Sequence, residues 1–176
     1  ANLLREKQKG IFLSPEMKST GEVMGISENF GLSFYKATLS AGTVLPSSGV
    51  VFISVNDQDK FNIISIARGF SELGFDLIGT EGTAIELIKN GMIVKKTFKV
   101  GEGRPNIVDS IKNNEISLVI NTPLGAQSRY DEEAIGRACI RKGIMAITTI
   151  SAADAVLHAI RTRNKAKVKS IQEYHN

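Results

Sequence analysis

The sequence of 176 residues has no tryptophan, a single cysteine and only two histidines. The single cysteine, Cys139, excludes an internal disulfide, and the sequence has no His-rich or Cys-rich cluster that could hold zinc. Cys139 lies in an apolar helical pattern, so we expect a buried, unreactive thiol in a reducing compartment. Aromatic residues make up 6% of the chain and hydrophobic residues 42%, so the core must consist mainly of Ile, Val, Leu and Ala.

Long apolar runs are also absent, and the charge is nearly balanced. No apolar run approaches the roughly 20 residues that span a bilayer, and residues 1–9 lack the apolar centre of a signal peptide. We therefore expect a cytoplasmic protein without a membrane partner. The net charge is +4, and much of the excess lies in residues 161–169. Because this basic run lacks interleaved aromatic residues, we expect a solvated end and no nucleic-acid partner.

The apolar pattern changes near residue 49. Residues 1–49 contain one predicted amphipathic helix, Glu28–Ala41, and end in a Pro/Ser/Gly linker. From residue 50 onward, strand and helix patterns alternate five times. The predicted strands are 50–55, 75–78, 93–98, 116–121 and 144–148, and the predicted helices are 59–73, 83–90, 106–113, 131–142 and 152–161.

The five predicted strands are almost entirely apolar, which is typical of a parallel sheet buried on both faces by helices. Gly74, Gly91 and Gly143 each follow a predicted helix, where a left-handed residue ends the helix at low cost. The predicted fold is therefore a three-layer α/β/α domain with a five-stranded parallel sheet in residues 50–176. A short, mainly helical segment, residues 1–49, precedes it.

Ligands of an open parallel sheet bind beyond the carboxyl ends of the strands. The residues at these ends are almost all hydroxyl, amide or lysine side chains: Ser54, Asn56, Lys60, Thr80, Thr83, Lys99, Asn121, Thr122, Thr148 and Thr149. The segment Gly79–Ala84 also opens a predicted helix, whose N-terminal N–H groups carry a partial positive charge. These features predict a site for a phosphorylated ligand.

Each of these features also has a purely structural interpretation. Thr83 can serve as the N-cap of its helix, with Gly79 and Gly82 as turn residues. Asn121 can cap a turn before Pro123. Arg104 can clamp a carboxylate or phosphate, but the loop 101–105 is better explained as a rigid connection to the next helix.

Five segments closely resemble the C-terminal part of the carbamoyl-phosphate synthase large chain: Met17–Gly25, Ser54–Lys60, Gly74–Ala84, Lys99–Pro105 and Ile120–Pro123. They occur in the family's order, and the resemblance runs from about Ser14 to the end. It implies the methylglyoxal-synthase-like fold and an allosteric role. The family's effector site holds the phosphate and ribose of UMP, an inhibitor, or IMP, an activator.

The effector-site positions of the family match Lys60, Thr80, Thr83, Lys99 and Asn121 in this sequence. With the neighbouring strand-end residues, the predicted effector-binding set is Ser54, Lys60, Thr80, Gly82, Thr83, Lys99, Asn121 and Thr122. The resemblance also implies that residues 17–25 belong to the end of the second synthetic unit. The implied partners are the synthetic units of the large chain and the glutaminase small chain of an enzyme of pyrimidine and arginine biosynthesis. The whole enzyme uses ATP and Mg, whereas we expect no cofactor in this chain, and homo-oligomer formation stays open.

Two positions depart from the family pattern. Pro123 stands where well-characterised members carry a threonine, which removes a hydroxyl contact to the nucleotide. Ile147 stands where ornithine-activated members carry an aspartate, which argues against ornithine sensing.

Three other functions compete with the regulatory one. Methylglyoxal synthase has the same fold but needs a carboxylate base and a histidine, and this chain lacks the aspartate in 101–105 and the histidine in 128–131. The cyclohydrolase domain of purine biosynthesis shares a Ser-Val-x-Asp-Lys strand end, but the segments Glu102–Pro105 and Ile120–Pro123 favour the synthase. A purely structural interaction domain is the third. We expect this chain itself to be non-catalytic.

Overall fold

The computed structural model describes residues 11–12, 45–123, 125 and 129–175. The predicted helix Glu28–Ala41 and the motif Met17–Gly25 lie outside the described residues. The strands are β1 (Ile11–Phe12), β2 (Val50–Ser54), β3 (Asp76–Thr80), β4 (Val94–Thr97), β5 (Leu118–Asn121) and β6 (Met145–Ile147). The helices are α1 (Lys60–Glu72), α2 (Glu81–Lys89), α3 (Ile107–Lys112), α4 (Arg129–Lys142) and α5 (Ile150–His175), with a 3-10 turn at Asp57–Asp59 between β2 and α1.

The predicted five-stranded parallel sheet is confirmed. The strand order is β1-β6-β5-β2-β3-β4, and β2 to β6 pair in parallel. The short strand β1 adds an antiparallel edge that was not predicted, with Ile11 opposite Ile147. The chain builds β2, β3 and β4 outward in one direction and then returns to place β5 on the other side of β2. The direction of winding therefore switches between β2 and β5.

Alternation along the strands produces two hydrophobic layers, one on each face of the sheet. In β2, Val51 and Ile53 point to the face covered by α1, α2 and α5, whereas Phe52 points to the face covered by α3 and α4. The same alternation separates Leu118 and Ile120 from Val119 in β5. Because both faces are buried at the centre of the sheet, the inner strands β2 and β5 are apolar along most of their length. The edge strand β4 differs, since Lys95 and Lys96 are exposed.

Most predicted boundaries of strands and helices lie within three residues of the observed ones. The glycines predicted to end helices, Gly74, Gly91 and Gly143, have left-handed φ values of +94°, +86° and +67°. The last helix is the exception, because α5 has 26 residues and continues to His175. No glycine or proline interrupts residues 150–175, so the helix has no local signal to end. Among the described helices, none combines the length and apolar character that a membrane crossing requires.

The basic run 161–169 was predicted to be solvated, and this is wrong for one residue. Lys165, Lys167 and Lys169 are exposed on α5. Arg163, however, is only 6% exposed, and its guanidinium donates hydrogen bonds to the backbone oxygens of Leu45 and Pro46. The predicted solvated end is therefore a helix that contacts the segment leading into β2.

Cys139 is buried in α4, and burial raises the pKa of its thiol to about 12. We expect the native protein to react with a disulfide reagent at pH 8 at least ~100-fold more slowly than the unfolded chain, because only the thiolate attacks. Absorbance of the released thiolate, with and without concentrated guanidinium chloride, measures the two rates. Equal rates would show that the thiol is accessible in the native state.

Candidate ligand-binding site

Polar residues converge at the carboxyl edge of the sheet, where the direction of winding switches. Ser54 at the end of β2 lies opposite Asn121 at the end of β5, and Thr80 ends the neighbouring strand β3. Open α/β sheets bind ligands in the crevice at such a switch point. Three of the predicted site residues therefore lie on adjacent strands at the expected place.

Ser54 and Thr80 are joined by a buried hydrogen bond. The Thr80 hydroxyl donates to Ser54 Oγ at 2.9 Å, and the two residues are 4% and 3% exposed. Thr80 is also the N-cap residue of α2, but its side chain makes no capping hydrogen bond. An N-cap hydroxyl normally accepts a hydrogen bond from a first-turn N–H group. The Thr80 hydroxyl instead bonds to Ser54 on the neighbouring strand. The N-terminus of α2 keeps donors for another acceptor.

Thr83 and Thr122 have a different role from the one that spacing alone suggests. The Thr83 hydroxyl accepts a hydrogen bond from the backbone N–H of Val55 at 3.1 Å. The Thr122 hydroxyl accepts one from the N–H of Asn56 at 2.9 Å. Both threonines are 1% exposed. They hold the loop after β2 in place, and the interpretation of Thr83 as the N-cap of α2 is wrong because Thr80 occupies that position.

Lys60 places a positive charge against the first turn of α2. A Cβ atom added at Gly82 would lie 3.2 Å from Lys60 Nζ, so the absence of a side chain at Gly82 lets the ammonium approach the helix backbone. Lys60 is one-quarter exposed and forms an ion pair with the exposed carboxylate of Asp57. The site thus combines a lysine with the positive end of a helix.

A small cavity of about 20 Å³ lies next to these residues. Its polar lining includes Ser54, Thr80, Lys99 and Asn121, which brings four of the predicted residues together. Within the described part of the chain, Lys99 forms no ion pair and the Asn121 side chain has no hydrogen-bond partner, although Asn121 is only 9% exposed. A buried amide normally has a partner, so the Asn121 amide keeps its donor and its acceptor for another group. Within the described residues, no hydrogen bond supports the turn-capping interpretation of Asn121.

The remaining lining of the cavity was not predicted. It consists of the apolar side chains Phe52, Val100, Ile107 and Ile135 and the acidic residues Asp131 and Glu132. In the sequence, these apolar residues are indistinguishable from core residues. One sequence feature could have connected two of these residues: Asp131 and Ile135 lie four positions apart and therefore share one face of α4.

Arg104 does not line the cavity. It pairs with Asp109 at 2.7 Å, and Asn106 and Asp109 form a capping box at the start of α3. The hydrogen bond from Arg104, followed by the bond from the Asn106 N–H, lowers the pKa of the Asp109 carboxyl. The loop 101–105 is thus a structural connection, as its rigid-loop interpretation predicts. Across the described residues, no three His, Cys, Asp or Glu side chains are grouped closely enough to hold a metal ion.

These features define a three-layer α/β domain with a polar pocket at its switch point, and comparison with known proteins identifies the class. Residues 62–148 match the family model of the MGS-like domain, and the chain belongs to this family. Its relatives are large chains of carbamoyl phosphate synthase, which confirms the resemblance seen in the sequence.

Three relatives illustrate the similarity. The chain is 52% identical to the carbamoyl phosphate synthase large chain of Acidobacterium capsulatum over 89% of its length and 49% identical to that of Archaeoglobus fulgidus over 93%. It is 50% identical over 93% of its length to the protein of Aquifex aeolicus named as the C-terminal section of the large chain. It spans only 14%, 15% and 32% of the lengths of these relatives, respectively.

Proposed function

We propose that this chain is the effector-binding C-terminal part of a carbamoyl phosphate synthase large chain and that it binds a nucleoside monophosphate such as UMP or IMP. The observation that carries the proposal is the buried amide of Asn121, which has no partner among the described residues and lines the same cavity as Lys99. The proposed contacts are Ser54, Lys60, Thr80, Gly82, Thr83, Lys99, Asn121 and Thr122.

The phosphate is best accommodated at the N-terminus of α2. Lys60 lies against Gly82 there, and the Thr80 side chain leaves the first-turn N–H groups uncapped. A phosphate at this position accepts hydrogen bonds from the backbone and gains from the helix dipole and the lysine charge. Lys99 approaches from the loop after β4 and supplies a second positive charge.

The ribose and base then extend into the cavity. Asn121 offers both a donor and an acceptor for a ribose hydroxyl, and Val100, Ile107 and Ile135 offer apolar surface to a flat base. The enclosed space of about 20 Å³ admits about one water molecule. Nucleotide binding therefore requires the lining side chains to move apart. Such a movement can couple ligand binding to the conformation of other parts of the protein.

The proposed partners are the synthetic units of the large chain, which use ATP and Mg, and the glutaminase small chain. Binding at the switch point would change carbamoyl phosphate synthesis through a coupling free energy of about 1–3 kcal/mol. Regulation of this kind would serve pyrimidine and arginine biosynthesis in the cytoplasm.

Calorimetric titration of the 176-residue chain with UMP and IMP tests the proposal. We expect saturable one-site binding of at least one nucleotide, and binding at least ~10-fold weaker for uridine and inosine, because these lack the phosphate that Lys60 and Lys99 would contact. If neither nucleotide produces heat at millimolar concentration, the effector proposal is wrong.

One observation supports an enzyme as the second candidate. Asp131 and Glu132 place two carboxylates in the lining of the cavity, and a carboxylate is the base that methylglyoxal synthase chemistry needs. No histidine lines the cavity among the described residues. Formation of methylglyoxal from dihydroxyacetone phosphate by the isolated chain would favour this enzyme over the regulator.

A further inference from the structure

The exposed carboxylate of Asp57 is the feature of the site that the proposed function leaves unused. It is 93% exposed and forms an ion pair with Lys60, the lysine that lies against the N-terminus of α2. Hydrogen bonding to Lys60 and then its charge lower the pKa of the Asp57 carboxyl, and the charge of Lys99 lowers it further. Asp57 is therefore ionised at neutral pH, and it interacts electrostatically with both lysines that are proposed to bind the phosphate, Lys60 and Lys99.

We infer that Asp57 competes with the phosphate of the ligand for Lys60 and thereby limits the affinity of the site for phosphorylated ligands. The inference rests on the phosphate-binding function proposed above. In the free protein, the carboxylate occupies Lys60. When a phosphate binds, the Lys60 ammonium must exchange its ion pair with Asp57 for one with the phosphate. The Asp57 carboxylate and the phosphate, both negatively charged, then lie near the same lysine.

The backbone around Asp57 holds its position without help from its side chain. Asn56 Oδ1 accepts a hydrogen bond from the N–H of Asp59 at 2.9 Å, and Asn56 Nδ2 donates to the backbone oxygen of Pro123 at 2.9 Å. The 3-10 turn is thus attached to the loop after β5. Replacing the Asp57 carboxylate should leave the turn and the fold intact.

Two effects set the size of the competition, and both act in the same direction. The first is loss of the Lys60–Asp57 pair, which is weak because Asp57 is solvated and exposed ion pairs contribute little. The second is repulsion between the displaced carboxylate and the phosphate, which solvent and salt screen. Together they predict that removing the carboxylate tightens phosphate binding about 3- to 10-fold at low ionic strength.

The test compares Asp57→Asn with the matched control Asp59→Asn in the 176-residue chain. Asp59 lies in the same turn and carries the same charge, but it forms no ion pair within the described residues. Calorimetric titrations with inorganic phosphate, UMP and uridine measure the dissociation constants. We expect Asp57→Asn to lower the constants for phosphate and UMP about 3- to 10-fold, Asp59→Asn to change them less than ~2-fold, and neither to change that for uridine.

The outcomes separate this inference from the proposed function. If the wild-type chain binds UMP and Asp57→Asn binds it no more tightly than Asp59→Asn does, only the role of Asp57 is wrong. An equal gain for uridine would also overturn that role, because uridine carries no phosphate. If no variant binds phosphate or UMP, both proposals fail. Circular dichroism confirms folding, and Asp57→Ser replaces Asp57→Asn if the asparagine variant is unfolded.

Discussion

Replacing Lys99 with methionine should weaken UMP binding about 30- to 150-fold. Lys99 lines the cavity and has no ion pair within the described residues, so its charge is available to a ligand. A hydrogen bond between charged partners contributes about 2–3 kcal/mol, which corresponds to this range of affinity. Methionine retains the length and apolar character of the lysine stem, so packing beside Val100 should persist. Calorimetric titration of the variant measures the loss.

The matched control is Lys95→Met, which removes the same charge from an exposed position on β4. Lys95 is not among the residues that line the cavity. We expect an effect of less than ~3-fold that disappears at high salt, since distant charges are screened over about 10 Å at 0.1 M. Equal losses in the two variants would mean that Lys99 contributes only to the net charge. An unchanged affinity in Lys99→Met would place the phosphate elsewhere.

The strand-end residues Ser54, Thr80 and Asn121 could be located from the sequence because their positions depend on a local pattern. Each ends an apolar run of strand length, and parallel strands bring their carboxyl ends to one edge. The strand order could not be derived in this way. It depends on which crossover places β5 beside β2, and the pairing of Ser54 with Asn121 joins residues far apart in the chain.

The roles of Thr83 and Thr122 show where spacing ceases to be informative. Their hydroxyls looked like ligand groups, yet each accepts a hydrogen bond from a backbone N–H that is 28 or 66 residues away. A hydroxyl that accepts one bond still has a proton to donate, so a ligand contact after movement of the loop stays a prediction. The apolar lining residues Ile107 and Ile135 were missed because a pocket wall and a core require the same side chains.

Arg163 was missed for a similar reason. It lies among exposed lysines in a basic run, and nothing nearby in the sequence distinguishes it from them. Its partners, Leu45 and Pro46, precede it by 118 and 117 residues. Only the tertiary structure shows that α5 extends far enough for a guanidinium to bind the segment that enters β2. The segment then continues through β2 to Ser54, so Arg163 supports one strand of the candidate site.

Replacing Arg163 with methionine should lower the free energy of unfolding by about 2–4 kcal/mol. The guanidinium donates to two backbone oxygens, at 3.0 Å for Pro46, and Leu45 is 3% exposed. Methionine fills much of the same volume but has no hydrogen-bond donor. The backbone oxygens of Leu45 and Pro46 therefore lose their partner, and the oxygen of the buried Leu45 cannot form a replacement hydrogen bond with water. Each such loss costs about 1–3 kcal/mol. The midpoint of urea unfolding, at constant slope, measures the change.

Two further variants distinguish the hydrogen bonds from the charge. Lys169→Met removes a charge from an exposed position of the same helix, and we expect it to change stability by less than ~0.5 kcal/mol. Arg163→Lys keeps the charge but loses the planar fork that reaches both oxygens, so its stability should lie between those of wild type and Arg163→Met. If Arg163→Lys were as stable as wild type, the charge would matter and the two-oxygen geometry would not. If Arg163→Met matched Lys169→Met, the contact with Leu45 and Pro46 would contribute nothing to the entry of the chain into β2.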